Sequence, residues 1–297
     1  MFLSGTFMRK LSGLMLSLAS CLTVSTALAD PLPVVAVNRE VGLSMAGIFD
    51  NLVGGYGSQS QTTGSQWYRP YNSSSQSRSR RIGWVPGFQV DASGMIDLGR
   101  VKNVYASALF RLGSGTRNDK YAHSYTSSYG QDSWRVGGGE DARSTYTRGE
   151  IGKGFLFLND KALVTPFVQG GYDSYGYSSF GGQNAFFVGL GLNADYALTD
   201  RLVLRGRFGW AEILNTLAFR TTTSATRPRW EGSLGADYRV TRHWHLTAGG
   251  DYAYTSYGHD SDRYSYQNVV DGLVTGNATS SGIQNGLTLR AGLAYAY

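Results

Sequence analysis

The sequence predicts an all-β chain: an antiparallel transmembrane β-barrel of ten strands. Three observations predict it. Apolar residues alternate with small or polar ones along many strand-length segments. Short turns alternate strictly with long connections rich in Ser, Thr, Gly and Asn. Aromatic residues gather at both ends of the apolar faces.

The N-terminus stands apart from this pattern. Arg9 and Lys10 precede an apolar run over residues 11–24, and Ala27-Leu28-Ala29 stands just before Asp30-Pro31. This three-part pattern predicts a secretory signal over residues 1–29. Residues 30–297 are then a single barrel with long extracellular loops. Leu18-Ala19-Ser20-Cys21 also has the form of a lipoprotein cleavage box. The sequence stays apolar as far as Ala29, which suits the interior of a signal better than a new N-terminus. Cys21 is the only cysteine, so the exported chain has no disulfide to draw on.

Forty Gly and 20 Tyr against 6 Pro, with 41% hydrophobic residues, suit long alternating strands. No exported segment reaches the apolar length of a membrane-spanning helix. The formal charge of +6 is mild, and no basic stripe runs along a helix. Nucleic acid is therefore not an expected partner, whereas a surface rich in lipid phosphate is.

Taken in order, a first strand runs near Val41, Leu43, Met45 and Phe49. Ile82, Trp84, Pro86, Phe88, Val90 and Ala92 face outward opposite Gln89 and Asp91. Val104, Ala106, Ala108, Phe110 and Leu112 follow. Segment 146–158 is ambiguous, because Glu150 and Lys153 have opposite parity and one of them must face out. The preferred register puts Gly152, Gly154 and Leu156 toward lipid. It sends Lys153 inward and leaves Tyr146, Arg148 and Glu150 outward near a loop end. The later strands are cleaner. Val164 to Tyr172, Phe186 to Tyr196, Leu202 to Trp210, Trp230 to Tyr238 and Leu246 to Tyr252 each alternate. The last strand sets Leu287, Leu289, Ala291, Leu293, Tyr295 and Tyr297 on one face.

Residues 98–103, 158–161, 198–201 and 240–243 form short turns. Residues 56–81, 113–145, 174–183, 215–227 and 256–283 form long connections. Five long and four short connections join ten strands. Short periplasmic turns and long external loops are the asymmetry of outer-membrane barrels.

The inward set is Lys153, Asp195, Arg205, Arg207, Arg229, Glu231, Asp237, Asp251 and Arg290. A lumen of ten strands is narrow, so these charges are expected to pair as a salt-bridged core rather than line an open pore.

Gly154-Phe155-Leu156-Phe157-Leu158-Asn159, Gly209-Trp210, Tyr238-Arg239-Val240-Thr241 and Gly282-Ile283-Gln284-Asn285 before the terminal strand resemble segments of the omptins, the ten-stranded outer-membrane proteases. The resemblance extends across much of the exported chain and implies the same barrel. The chemistry departs from it. Omptins carry two acidic residues one apart in the second loop and an Asp-x-His couple in the fourth. Here the second loop offers Asp119, His123 and Gln131-Asp132-Ser133-Trp134, and Ala211-Glu212-Ile213-Leu214-Asn215-Thr216 follows Gly209-Trp210. Neither couple is present, so omptin-type proteolysis is not expected.

Other candidates are sparse. His123 with Asp119, and His259 with Asp260 and Asp262, lie in long connections that can converge. His243 and His245 flank Trp244 at a turn and read as solvated, too few to hold a metal. Gly189-Leu190-Gly191-Leu192-Asn193-Ala194 imitates a dinucleotide fingerprint but lies within a strand and opens no helix. Arg80, with Tyr146, Arg148 and Glu150, is a candidate contact for lipopolysaccharide phosphate at the outer rim.

The expectation is a non-enzymatic barrel of the Gram-negative outer membrane, without catalytic residues, cofactor or metal. Its alternatives are a small porin-like channel or uptake barrel and a divergent omptin-like hydrolase. Expected partners are outer-membrane lipid and lipopolysaccharide, with the barrel-assembly machinery engaging the C-terminal strand that ends at Tyr297. The external ligand is not legible in the sequence.

Overall fold

The computed structural model describes residues 32–63, 70–177, 183–216, 227–268 and 272–297. The predicted signal and Cys21 lie outside the described residues. A short helix, α1 (Pro33–Ala36), precedes β1 (Glu40–Thr63), β2 (Tyr71–Leu98), β3 (Val101–Ser127), β4 (Gly130–Lys153) and β5 (Phe155–Phe157). Then come β6 (Ala162–Tyr177), β7 (Gln183–Ala197), β8 (Leu202–Thr216), β9 (Pro228–Arg239), β10 (Trp244–Asn268) and β11 (Gly272–Ala296).

Every neighbour pairs antiparallel, and the sheet closes on itself. β1 pairs β11, with Glu40 opposite Ala296, and β4 pairs β6, with Glu150 opposite Gln169. β5 continues the line of β4 beyond Gly154 and pairs the same neighbour, β6. The eleven strands therefore make ten staves. Closure matters physically because it leaves no unpaired edge in lipid.

Alternation sets the two faces. Met45 is 74% exposed and Leu234 76% exposed on the outer face, joined there by Leu43, Leu190 and Leu293. Exposed apolar surface on this scale is a lipid-facing belt. Trp244 and Tyr295 border it on the turn side, where their rings meet edge to face, and Trp84, Trp230 and Tyr252 border the other. Trp244 and Tyr252 lie eight residues apart on β10, about 27 Å along the strand before tilt.

The long connections differ from expectation. Much of 56–81, 113–145 and 256–283 is hairpin: β1 with β2, β3 with β4, and β10 with β11 keep pairing far beyond the outer aromatic girdle. From Phe49 at the girdle to Thr63, β1 runs about 45 Å. These six staves are contiguous in the ring, in the order β4-β3-β2-β1-β11-β10. They form a tall wall on one side. The Ser-rich sequence hid the strands because both faces there are wet, so nothing forces apolar alternation.

Segment 146–158 takes the opposite register to the one expected. Tyr146 and Glu150 are buried inside, while Ile151, Lys153, Phe155 and Phe157 face out. Leu156 packs inward against the apolar cluster that includes Met95 and Leu163. Lys153 is thus not a lumenal charge. Its ammonium stands 5.1 Å from the Phe155 ring centroid, at the turn end of the belt, where a lysine can reach the interface.

Candidate functional site

The interior is built in layers. At the turn end, α1 enters the barrel mouth. Pro33 suits the first helical turn, where a missing N–H costs nothing. Val34, Val35 and Val37 pack with Met95, Tyr105, Leu163 and Val203. Asn38 Nδ2 donates to the Val34 carbonyl at 2.8 Å and to Asp195 Oδ2 at 2.8 Å. Arg39 Nε donates to the Met95 carbonyl at 2.6 Å. This plug was missed in the sequence. Its only signal was the apolar run Pro33-Val34-Val35-Ala36-Val37, which does not alternate.

The middle layer is ionic. Glu231 receives Arg229 Nε at 2.6 Å, Arg207 Nη1 at 3.0 Å, Arg148 Nη1 at 3.7 Å and the Tyr146 hydroxyl at 2.9 Å. Glu150 receives Arg207 Nε at 2.8 Å and Arg148 Nε at 2.9 Å. Arg229 Nη1 also reaches Asp173 Oδ2 at 2.7 Å. Three carboxylates thus meet three guanidiniums. The Arg229 guanidinium lies over the rings of Tyr146 and Phe187, and Arg207 over Phe167. Arg207 also donates to the Gln169 amide oxygen.

Above this layer Arg117 Nη1 pairs Asp50 Oδ2 at 3.2 Å and Arg81 Nε pairs Asp119 Oδ2 at 3.0 Å. Beside it Arg290 and Arg111 share Asp251, at 3.4 and 3.6 Å. A cavity of about 40 Å³ lies in the middle layer and one of about 100 Å³ reaches from there down to Glu40 and Asp195, room for ordered waters but not for an open channel.

The lower layer, next to the plug, has a different balance. Arg205 Nη1 reaches Glu40 Oε1 at 2.7 Å, and its Nε reaches Asp195 Oδ1 at 3.3 Å. His245 Nδ1 lies 2.8 Å from Asp237 Oδ1 and 3.6 Å from Glu40 Oε2. His245, read from sequence as a solvated turn residue, is 1% exposed. Its ring faces inward because it is one residue inside β10, and the partner that buries it, Glu40, is distant in sequence.

The structure places Asp195, Arg205, Arg207, Arg229, Glu231, Asp237, Asp251 and Arg290 in the lumen, and adds Glu40, Asp50, Arg81, Arg111, Arg117, Arg148, Glu150 and Asp173. Tyr146, Arg148 and Glu150 are not at the outer rim and cannot contact lipopolysaccharide there. The interior charges of Glu231 and Arg207 draw them inward. Arg80 alone of that group faces out, where its Nε donates to Asn51 Oδ1 at 3.1 Å.

Beyond the girdle the tall wall borders an open cavity of about 1050 Å³ lined by Tyr56, Ser77, His123, Trp134, His259 and Ser280 among others. His123 rests 5.6 Å from the Trp134 ring and 6.5 Å from Tyr121. Asp119 is committed to Arg81. His259 pairs with Ser281, opposite Gly55, while His123 pairs with Ser77, opposite Tyr56. That register puts the two histidines on opposite faces of the wall, although both border the same cavity. Gly189 and Gly191 lie within β7, and a Cβ at Gly191 would strike the Phe167 ring and the Phe208 carbonyl. Packing, not phosphate, accounts for that glycine.

No protein-family model matches the chain, and no curated protein does. Among solved structures it is similar to the outer membrane protease OmpT from Escherichia coli, with 14% identity and a TM-score of 0.43 over 86% of this chain and 97% of that one. It is also similar to the translocator domain of the autotransporter NalP from Neisseria meningitidis, with 14% identity and a TM-score of 0.32 over 98% and 96%. A Pseudomonas aeruginosa FadL homologue gives 10% and 0.32 over 90% and 92%. These likenesses carry no argument about activity. The closed ring, the paired charges inside it and the apolar belt around it make this chain an outer-membrane β-barrel.

Proposed function

We propose that this chain is a non-enzymatic surface barrel whose projecting hairpins contact the exterior, as an adhesive or an envelope-structural element. One contrast carries the reading. The barrel is packed with α1 and a balanced ionic layer at the level of the belt, while six contiguous staves continue far beyond it. A packed lumen argues against transport, and a tall Ser-, Thr- and Tyr-rich wall argues for contact. Arg80 is the remaining candidate for lipopolysaccharide phosphate, and the strand ending at Tyr297 is the candidate signal for barrel assembly. Planar-bilayer recording tests the reading first: refolded protein is silent, and a steady conductance overturns it in favour of a channel. Adhesion tests the second half. Cells displaying the chain bind matrix-coated surfaces, and variants with hairpin residues 58–75 and 120–136 cut back lose that binding while keeping a folded barrel.

A further inference from the structure

The lower lumenal layer has more negative charge than its cations balance. Glu40, Asp195 and Asp237 face one guanidinium, Arg205, and the imidazole of His245, whereas the layer above matches three carboxylates to three guanidiniums. Arg39 lies close in sequence, but its Nε is turned to the Met95 carbonyl. Asp91, on the neighbouring β2, adds to the deficit and accepts only from Gln89 at 3.2 Å. The polar atoms there are also short of partners. Glu40 Oε2, Asp237 Oδ2 and His245 Nε2 are buried without a hydrogen bond among the described residues, while His245 Nδ1 has the Asp237 carboxylate at 2.8 Å. The ligand-type atoms of Glu40, Asp237 and His245 all lie within 4.8 Å of one another.

We propose that Glu40, Asp237 and His245 bind a divalent transition-metal ion of the zinc type at the base of the barrel. One imidazole with two carboxylates suits such an ion and disfavours calcium or magnesium, which take oxygen alone. Donors about 2.0–2.2 Å from a tetrahedral ion stand roughly 3.3–3.6 Å apart. The 3.6 Å between His245 and Glu40 already fits, and the 2.8 Å between His245 and Asp237 needs a small opening. A dication with neutral His245 brings the charge of Glu40, Asp195, Asp237 and Arg205 to zero and leaves Asp91, which accepts from Gln89, as the negative charge of the layer. Arg205 binds the other oxygen of Glu40 at 2.7 Å and thereby orients it, as an outer-shell partner does. The three ligands belong to the start of β1, the end of β9 and the start of β10, so the ion ties the residue that follows the plug to the barrel wall.

The test uses the full exported chain refolded in detergent and dialysed against a zinc buffer. One zinc per chain is expected for the native protein and for His243→Ala, which removes the neighbouring surface histidine. His245→Gln and Asp237→Asn each lose that equivalent, and zinc raises the melting temperature of the native protein and of His243→Ala but of neither ligand variant. Cobalt in place of zinc gives visible ligand-field bands on the native protein, a readout that does not depend on either variant folding. The proposal is overturned if the native protein holds no zinc and shows no cobalt bands. It is equally overturned if His245→Gln keeps the zinc, which marks surface binding. Ring-nitrogen NMR showing His245 doubly protonated in the presence of zinc also overturns it, since a bare ion pair then fills the role.

Discussion

Arg117 on β3 reaches past β2 to set its Nη1 3.2 Å from Asp50 Oδ2 on β1, and both side chains are 1% exposed. Neutralising Asp50 takes a carboxylate away from a buried guanidinium. Asp50→Asn is expected to lower unfolding stability by about 3–5 kcal/mol. The double variant Asp50→Asn/Arg117→Met is expected to recover much of the loss. Urea unfolding in lipid vesicles measures both, and a single variant as stable as the native protein contradicts the pairing.

The plug makes a second prediction. Val34 is fully buried against the barrel mouth, so Val34→Asp places a charge in an apolar cluster. The plug should leave the mouth, and trypsin should then cut after Arg39 in a barrel that otherwise stays folded. Protection of Arg39 equal to the native protein's would show that the cluster does not hold α1.

Reassigning Arg148 to the lumen separates two arginines that sequence grouped together. Arg80→Ala is expected to weaken lipopolysaccharide binding by refolded protein, whereas Arg148→Ala is expected to leave binding unchanged and destabilise the barrel. The opposite result would restore the outward register.

Belt and vestibule are distinguished by tryptophan. Trp84, Trp230 and Trp244 face lipid, whereas Trp134 lines the cavity within the wall. In single-tryptophan variants, brominated lipid should quench the first three and leave Trp134 bright.

Gly191 tests packing inside the barrel. An added methyl meets the Phe167 ring and the β8 backbone, so Gly191→Ala is expected to cost about 1–3 kcal/mol. Adding Phe167→Leu should recover part of it in the same unfolding measurement.

Alternation made the belt legible: Leu289 and Leu293 announce their face because lipid accepts nothing else there. The same rule failed over 146–158, where Gly152 and Gly154 are silent and Glu150 opposes Lys153. Arg207, Asn193, Tyr105 and Ser107, contributed by other staves, settle that Glu150 belongs inside. The lumenal role of about half of the interior charges was readable from parity, but their pairing was not. Partners such as Glu40 and Arg205 lie 165 residues apart. His245 misled for a related reason. Its neighbours in sequence describe a turn, whereas its environment is set by strands that arrive from both ends of the chain.

The balanced ionic layer bears on how the molecule enters a bilayer. Arg148 and Glu150 come from β4, Arg207 from β8, and Arg229 and Glu231 from β9. An open sheet laid in hydrocarbon would keep β4 away from β8 and β9, so Arg148–Glu150 and Arg229–Glu231 would persist only as isolated same-strand pairs and Arg207 would lose Glu150, a cost that a single stave cannot offset. Insertion and ring closure are therefore one event for this chain. A variant that loses one of these charges should stall at the membrane surface, rather than arrive as a looser barrel.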